Sequence, residues 1–128
     1  MKTMMEENRK EQLAEIEIKT QELLDLIRNS DVYIRYQKEL EELKKDKETY
    51  EKINIYRRKN LALQVLEDPE SSYEKLEELY TEYKDILRKP LVARYMMTEQ
   101  SICKIMRDLQ NRVFDGIDLD ISYLDYEE

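Results

Sequence analysis

The chain has 128 residues, of which 41% are charged, and its 22 basic and 30 acidic residues give a formal net charge of -8. It contains no histidine and a single glycine, which excludes a serine–histidine triad and a glycine-rich phosphate loop. The acidic balance disfavours nucleic acid as a partner. With only two prolines as further helix breakers, the composition predicts one all-α domain over residues 1–128, in which we expect about 1–9 and 118–128 to be flexible.

The first half of the chain predicts three helices. Apolar residues at spacings of three and four place the first helix at about Lys10 to Arg28. The second helix runs from Val32 to about Lys45 after an N-cap at Asp31, and the third covers about Lys47 to Leu66. No proline or glycine separates the second helix from the third, so the segment around Asp46 is either a break or a continuous helix. We favour a bend or a short break there.

The second half predicts two further helices. Ser71 and Glu74 have capping-box spacing and open a fourth helix that ends near Lys89, after Glu67-Asp68-Pro69 stops the third. Pro90 opens a long fifth helix that ends at Gly116. The sequence therefore predicts a bundle of four to five helices with a long C-terminal helix.

The tail Ile117–Glu128 alternates apolar and acidic residues with a period of two. This pattern predicts a short extended acidic segment, which either docks across the bundle or stays loose.

Two features could carry chemistry. Cys103 is the single cysteine, so it cannot form a disulfide within the chain, and we interpret it as a small packing residue of the fifth helix, not a reactive or cluster-binding thiol. Arg57-Arg58-Lys59 is the densest basic run on a helix. It could contact RNA or an acidic partner, but the overall acidity favours a solvated face paired with Glu51, Glu67 or a neighbouring helix.

Carboxylates occur in pairs at Glu41-Glu42 and Glu77-Glu78, and again at Asp118 and Asp120. Glutamate metal sites in helical bundles recruit histidine, and this chain has none. We therefore predict surface charges, no metal and no cofactor.

Tyrosines are the remaining candidates, because the chain has ten of them and one phenylalanine. Tyr73, Tyr80, Tyr83 and Tyr95 lie on the apolar stripes of the fourth and fifth helices. Tyrosine is enriched at protein interfaces, and it also suits the edge of a thin core. Both interpretations stay open, and the first makes these four residues candidate partner contacts.

The order of these features resembles the YlbF/YmcA family of small helical bacterial proteins. The residues that carry the resemblance are a serine-led helix start at 29–37, a leucine-rich helix at 76–87, and the motif Pro90-Leu91-Val92-Ala93-Arg94-Tyr95 with Glu99-Gln100. It covers roughly Leu13 to Asp115. Relatives often carry a proline after the second helix, where this chain has Lys47.

The resemblance implies a self-associating, non-enzymatic regulator of development, competence or biofilm formation. Some members work with the RNA-decay endonuclease RNase Y in a multi-protein complex linked to iron–sulfur clusters. We do not extend the cluster to this chain, because a single cysteine cannot ligate one.

We therefore expect an adaptor that binds itself, as a homodimer or larger assembly, and other proteins. No apolar run is long enough to cross a bilayer and no signal peptide is visible, so we expect a cytoplasmic protein with no membrane partner. No small-molecule substrate is predicted.

Two alternatives are kept. One is a small dimeric enzyme of the chorismate mutase type, which would use a convergent set of arginines drawn from Arg28, Arg35, Arg57 and Arg94. The other is a purely structural self-assembling bundle. RNA binding by the chain itself is opposed by its charge.

Overall fold

The computed structural model describes residues 3–65 and 69–125. Over these residues the chain forms five α-helices: α1 (Met4–Arg28), α2 (Asp31–Lys45), α3 (Lys47–Gln64), α4 (Pro69–Leu87) and α5 (Pro90–Gly116). No strand occurs in this part of the chain. The all-α prediction and the number of helices are confirmed. The predicted end of the third helix at Leu66 and the stop at 67–68 lie outside the described residues, as do 1–2 and 126–128.

The starts of α1 and α4 differ from those that the sequence predicts. Thr3 and Glu6 form a capping box, since Glu6 N–H donates to the Thr3 hydroxyl and Thr3 N–H donates to the Glu6 carboxylate. This cap starts α1 at Met4, so the predicted start at Lys10 is wrong. The fourth helix begins at Pro69, which places Ser71 inside it and makes the prediction of an N-cap at Ser71 wrong.

The break between α2 and α3 is confirmed. The α2 helix ends at Lys45, and Asp46 has a non-helical backbone with φ -95° and ψ 83°. Its carboxylate accepts hydrogen bonds from the Thr49 amide at 3.2 Å and the Thr49 hydroxyl at 2.7 Å. An aspartate cap can therefore separate two helices without proline or glycine.

The core lies where α2, α3 and α5 meet. Leu43, Ile53, Val92 and Tyr95 are buried together, and Tyr36, Leu40 and Leu91 are among the partly buried residues that pack on them. The helix pairs in contact are α2 with α5, α3 with α4, α2 with α3, α1 with α2, and α4 with α5. All described residues that are buried lie in α2, α3, α4 or residues 90–101 of α5. We call these four segments together the head.

Two segments extend beyond the head, and we call them the arms. The first is α1, which has no buried residue and contacts only α2. The second is residues 102–116 of α5, where no residue is buried either. The tail that follows is extended at Ile117 and ends in a 3₁₀ turn at Ser122–Leu124, with Leu119 and Tyr123 exposed. This turn is not part of the predicted extended pattern.

Candidate interaction surfaces

The motifs that carry the family resemblance meet inside the head. The Ser30 hydroxyl caps α2 by accepting from Tyr33 N–H at 3.3 Å, and it donates to the Ile27 carbonyl at 2.6 Å. Asp31 is the first residue of α2, so the prediction of an N-cap at Asp31 is wrong. The Tyr33 and Tyr36 rings stack with centroids 6.1 Å apart, and Tyr36 stacks on Tyr95 of α5 at 5.7 Å. Residues 59 positions apart (Tyr36 and Tyr95) thus form one aromatic row, and their role is to join α2 to α5.

A polar network lies at the end of this row. The Tyr95 hydroxyl donates to the Glu99 carboxylate at 3.0 Å and accepts from the Arg57 guanidinium at 3.3 Å. Arg57 also forms an ion pair with Glu99, which connects α3 to α5. Burial, with hydrogen bonds to Tyr36 and Glu99, raises the pKa of Tyr95 above its usual value. Burial opposes the charged form of Arg57, but hydrogen bonds and attraction to Tyr95 and Glu99 outweigh it and raise its pKa.

An open groove runs along α3 beside this network, with a volume of about 570 Å³. Its walls are mainly amides, guanidinium groups and apolar side chains: Asn54, Tyr56, Arg57, Arg58, Asn60, Leu61, Gln64 and Met96. Gln64 donates to Asn60 at 2.6 Å, and Asn60 donates to the Tyr56 hydroxyl at 3.1 Å. These groups can recognise a polar surface, and no nucleophile paired with a base lines the groove.

The four candidate tyrosines do not share one environment. Tyr95 is only 2% exposed and belongs to the core, while Tyr83 is half-buried with its ring 5.6 Å from that of Tyr56. Tyr73 and Tyr80 are 65% and 45% exposed on the outer face of α4. With Leu76, they line a shallow groove of about 460 Å³. Of the four candidates, these two are the exposed ones.

The three residues of the basic run, Arg57-Arg58-Lys59, have different environments. Arg57 pairs with Glu99 on a neighbouring helix, which confirms the prediction of such a pairing, and the Lys59 ammonium lies 5.8 Å from the centre of the Tyr83 ring. Arg58 is exposed. Two arginines of the mutase alternative line different grooves, since Arg35 lies in a groove between α2 and α5 and Arg57 in the groove along α3.

Cys103 is exposed, so the prediction that it packs is wrong. It lies in the α5 arm, where the chain supplies no helix to cover it. The paired carboxylates, namely Glu41-Glu42, Glu77-Glu78, Asp118 and Asp120, are all exposed. Over residues 3–65 and 69–125, no cluster of cysteine, aspartate and glutamate could hold a metal ion.

Sequence reasoning missed one buried carboxylate. Glu39 is buried in α2, and its Oε2 has no hydrogen-bond partner. Its spacing gives the signal that could have found it, since Glu39 lies three residues after Tyr36 and four before Leu43 on the face that contacts the core.

Within the described part of the chain, no helix has both the length and the apolar character to cross a membrane. No curated protein and no solved structure matches the chain. A family model described as "Control of competence regulator ComK, YlbF/YmcA" matches residues 16–118. That match takes in the head, about half of α1 and all of the α5 arm. The chain therefore belongs to the YlbF/YmcA family.

Proposed function

We propose that this protein is a non-enzymatic regulator that acts by binding other proteins, as an adaptor in the control of competence or a related developmental programme. Membership of a family described by the control of the competence regulator ComK supports a regulatory role. The grooves support contact instead of catalysis, because they are open channels on helix surfaces, whereas enzyme sites are usually enclosed pockets with convergent polar groups.

The exposed face of α4 is the observation that carries this proposal. Tyr73 and Tyr80 are two helical turns apart on the same face, with Leu76 and Thr81 between and beside them. We call these residues, with Glu77, the tyrosine surface. A tyrosine contributes a large apolar area and a hydroxyl at modest entropic cost, which is why it is enriched where proteins meet.

The charge around the tyrosine surface defines the chemistry of its partner. The α4 helix has six acidic residues against two lysines, and Glu74, Glu77, Glu78 and Glu82 are exposed. A complementary partner presents an apolar strip flanked by lysine or arginine. We propose a protein of the RNA-decay machinery, with RNase Y as the first candidate, because the family resemblance implies that some members work with that endonuclease.

Affinity purification from the native host tests the proposal. We expect RNase Y to be recovered with the wild-type protein and lost with the double variant Tyr73→Ala and Tyr80→Ala. The matched control is Tyr123→Ala, which removes a tyrosine that is exposed in the tail and should leave recovery unchanged.

Equal recovery with the double variant would exclude the tyrosine surface as the contact. If RNase Y is absent even with the wild type, the assignment of this partner is wrong. A deletion of the protein that changes neither a competence reporter nor biofilm formation would overturn the regulatory role itself.

A further inference from the structure

The groove beside the polar network, which we call the α3 groove, has a charge opposite to that of the chain. From Lys52 to Gln64, α3 has four basic residues and no acidic one, although the whole chain has a formal net charge of -8. Arg57 and Arg58 line the groove, and no described residue that lines it is acidic. A groove lined by one sign of charge concentrates the opposite sign, so this surface attracts carboxylates.

Both arginines of the α3 groove have donors to offer. Arg57 donates to the Tyr95 hydroxyl and to the Glu99 carboxylate. A guanidinium has about five N–H donors in all, so these two bonds leave others for a ligand. Glu99 is the more deeply buried member of the ion pair and does not line the groove. Arg58 is exposed and forms no ion pair with any described residue.

The polar side chains of the groove are held in place by hydrogen bonds within the protein. Gln64 donates to Asn60 at 2.6 Å, and Asn60 donates to the Tyr56 hydroxyl at 3.1 Å. Each amide nitrogen has a second N–H, which remains for a ligand. Side chains that are already fixed lose less conformational entropy on binding, so the α3 groove is preorganised for a polar ligand.

The α3 groove also has an apolar site and a defined length. Leu61 is exposed one helical turn after Arg58, and the half-buried Met96 of α5 lines the same groove. On α3 the lining runs from Asn54 to Gln64, ten positions apart, which is about 15 Å along the helix axis. An extended peptide covers this distance with about five residues.

We propose that the α3 groove binds an extended acidic segment of another protein. About five residues of this segment fit the groove, with carboxylates beside Arg57 and Arg58 and an apolar side chain beside Leu61. The proposal goes beyond the proposed function, because the tyrosine surface of α4 fits a partner of opposite charge. A chain with both surfaces can hold a basic partner and an acidic partner at the same time.

Charge and shape favour an acidic peptide over RNA as the occupant. The net charge of -8 repels a strand that carries a phosphate at every nucleotide, whereas a short peptide segment carries only a few carboxylates. Proteins that bind single-stranded RNA stack its bases on accessible aromatic rings. Tyr56 is the only aromatic residue among the described ones that line the groove, and it is buried.

Fluorescence anisotropy with a fluorescein-labelled peptide of aspartate, glutamate and leucine tests the proposal. We expect this peptide to bind the wild-type protein, and to bind more weakly as sodium chloride is added, because salt screens the charges. A peptide with asparagine and glutamine in place of the acidic residues should not bind.

The variant Arg58→Glu reverses a charge in the groove and should weaken binding of the acidic peptide roughly tenfold or more. The matched control is Arg94→Glu, which makes the same change at an exposed arginine of the head that does not line the groove. It should leave the affinity unchanged. Because both arginines are exposed, we expect both variants to keep the wild-type circular dichroism spectrum.

The apolar site is tested separately. Leu61→Ala should weaken binding of the acidic peptide by roughly threefold to tenfold, because it removes apolar area that the peptide covers. Met97→Ala is the matched control, since Met97 is 69% exposed and Leu61 is 65% exposed, but Met97 lines a different groove. Its affinity should equal that of the wild type.

An acidic peptide that does not bind overturns the proposal, and so does an uncharged peptide that binds as well as the acidic one. Wild-type affinity in Arg58→Glu, or tighter binding of a short single-stranded RNA than of the acidic peptide, also overturns it. The double variant Tyr73→Ala and Tyr80→Ala should bind the acidic peptide normally. The recovery of RNase Y therefore tests the adaptor role alone.

Discussion

The head and the arms are built from the same kind of helix but differ in what covers their apolar faces. In the head, the stripes of α2, α3 and α5 meet, and Leu43, Ile53 and Val92 are each 1% exposed. In the arms, stripes of similar composition face open grooves. An apolar stripe therefore does not by itself predict burial, because the direction in which the chain leaves each turn decides whether another of its helices packs on that stripe.

The largest expected effect tests this difference by removing the same side chain from each region. Ile53→Ala in the head should lower the free energy of unfolding by about 2–5 kcal/mol, since it leaves a cavity among Leu43, Val92 and Tyr95. Ile16→Ala in α1 should cost less than about 0.5 kcal/mol, because Ile16 is exposed and its truncation leaves no cavity. Urea unfolding followed by circular dichroism measures both. Equal losses for the two variants in dilute protein would contradict the division into head and arms.

A smaller loss of stability is expected when the polar network of the head is changed. Tyr95→Phe removes the hydroxyl that donates to Glu99 and accepts from Arg57. It should lower the free energy of unfolding by about 1 kcal/mol, since the ion pair between Arg57 and Glu99 remains. Tyr123→Phe in the tail is the matched control and should have no effect by the same urea titration. A Tyr95→Phe protein as stable as the wild type would show that the network is not important for joining α3 to α5.

The smallest expected effect is a pH-dependent change in stability caused by Asp46, which lies between α2 and α3. Hydrogen bonds from the Thr49 hydroxyl and amide, with nearby Lys89 and Lys52, hold the pKa of Asp46 below its usual value. A carboxylate with a lowered pKa in the folded state stabilises the fold above its ordinary pKa of 3.8, and this stabilisation is lost as the pH falls through the lowered value.

The variant Asp46→Asn keeps a capping side chain without the charge. We expect its urea midpoint to be lower than that of the wild type at neutral pH and to converge with it as the medium becomes strongly acidic. Glu17→Gln in α1 is a matched control for the loss of a carboxylate. A difference for Asp46→Asn that stays constant with pH would show that its charge does not stabilise the break.

Much of the fold could be predicted because its signals are local. Spacings of three and four, Pro90 at a helix start and the aspartate at position 46 each act within about one helical turn. The wrong helix starts came from capping-box spacing, which Thr3 and Glu6 share with Ser71 and Glu74. The first pair forms the capping box of α1, whereas α4 begins before the second pair. The hydroxyl of the neighbouring Ser72 donates a hydrogen bond to the Leu63 carbonyl at 2.6 Å. This contact joins α4 to α3, and no pattern of residues near Ser72 predicts it.

The candidate surfaces were less predictable. The four candidate tyrosines all lie on apolar stripes of helices α4 and α5. Their exposed fractions nevertheless run from 65% for Tyr73 to 2% for Tyr95. The pairing of Arg57 with Glu99 joins residues 42 positions apart, and nothing near either residue specifies the other. The exposure of Cys103 has the same origin, because it depends on how far α5 extends past α2.

The sequence by itself determined an acidic, all-helical chain of four to five helices and the motifs of the YlbF/YmcA family, and it favoured a break near Asp46 without deciding it. These follow from helix periodicity and capping, which depend on residues three or four positions apart. Only the tertiary structure decided which stripes form the core, which tyrosines remain on the surface, and that α1 and the end of α5 are left uncovered. Burial depends on the element that packs opposite, and that element is chosen by contacts between residues far apart in the chain.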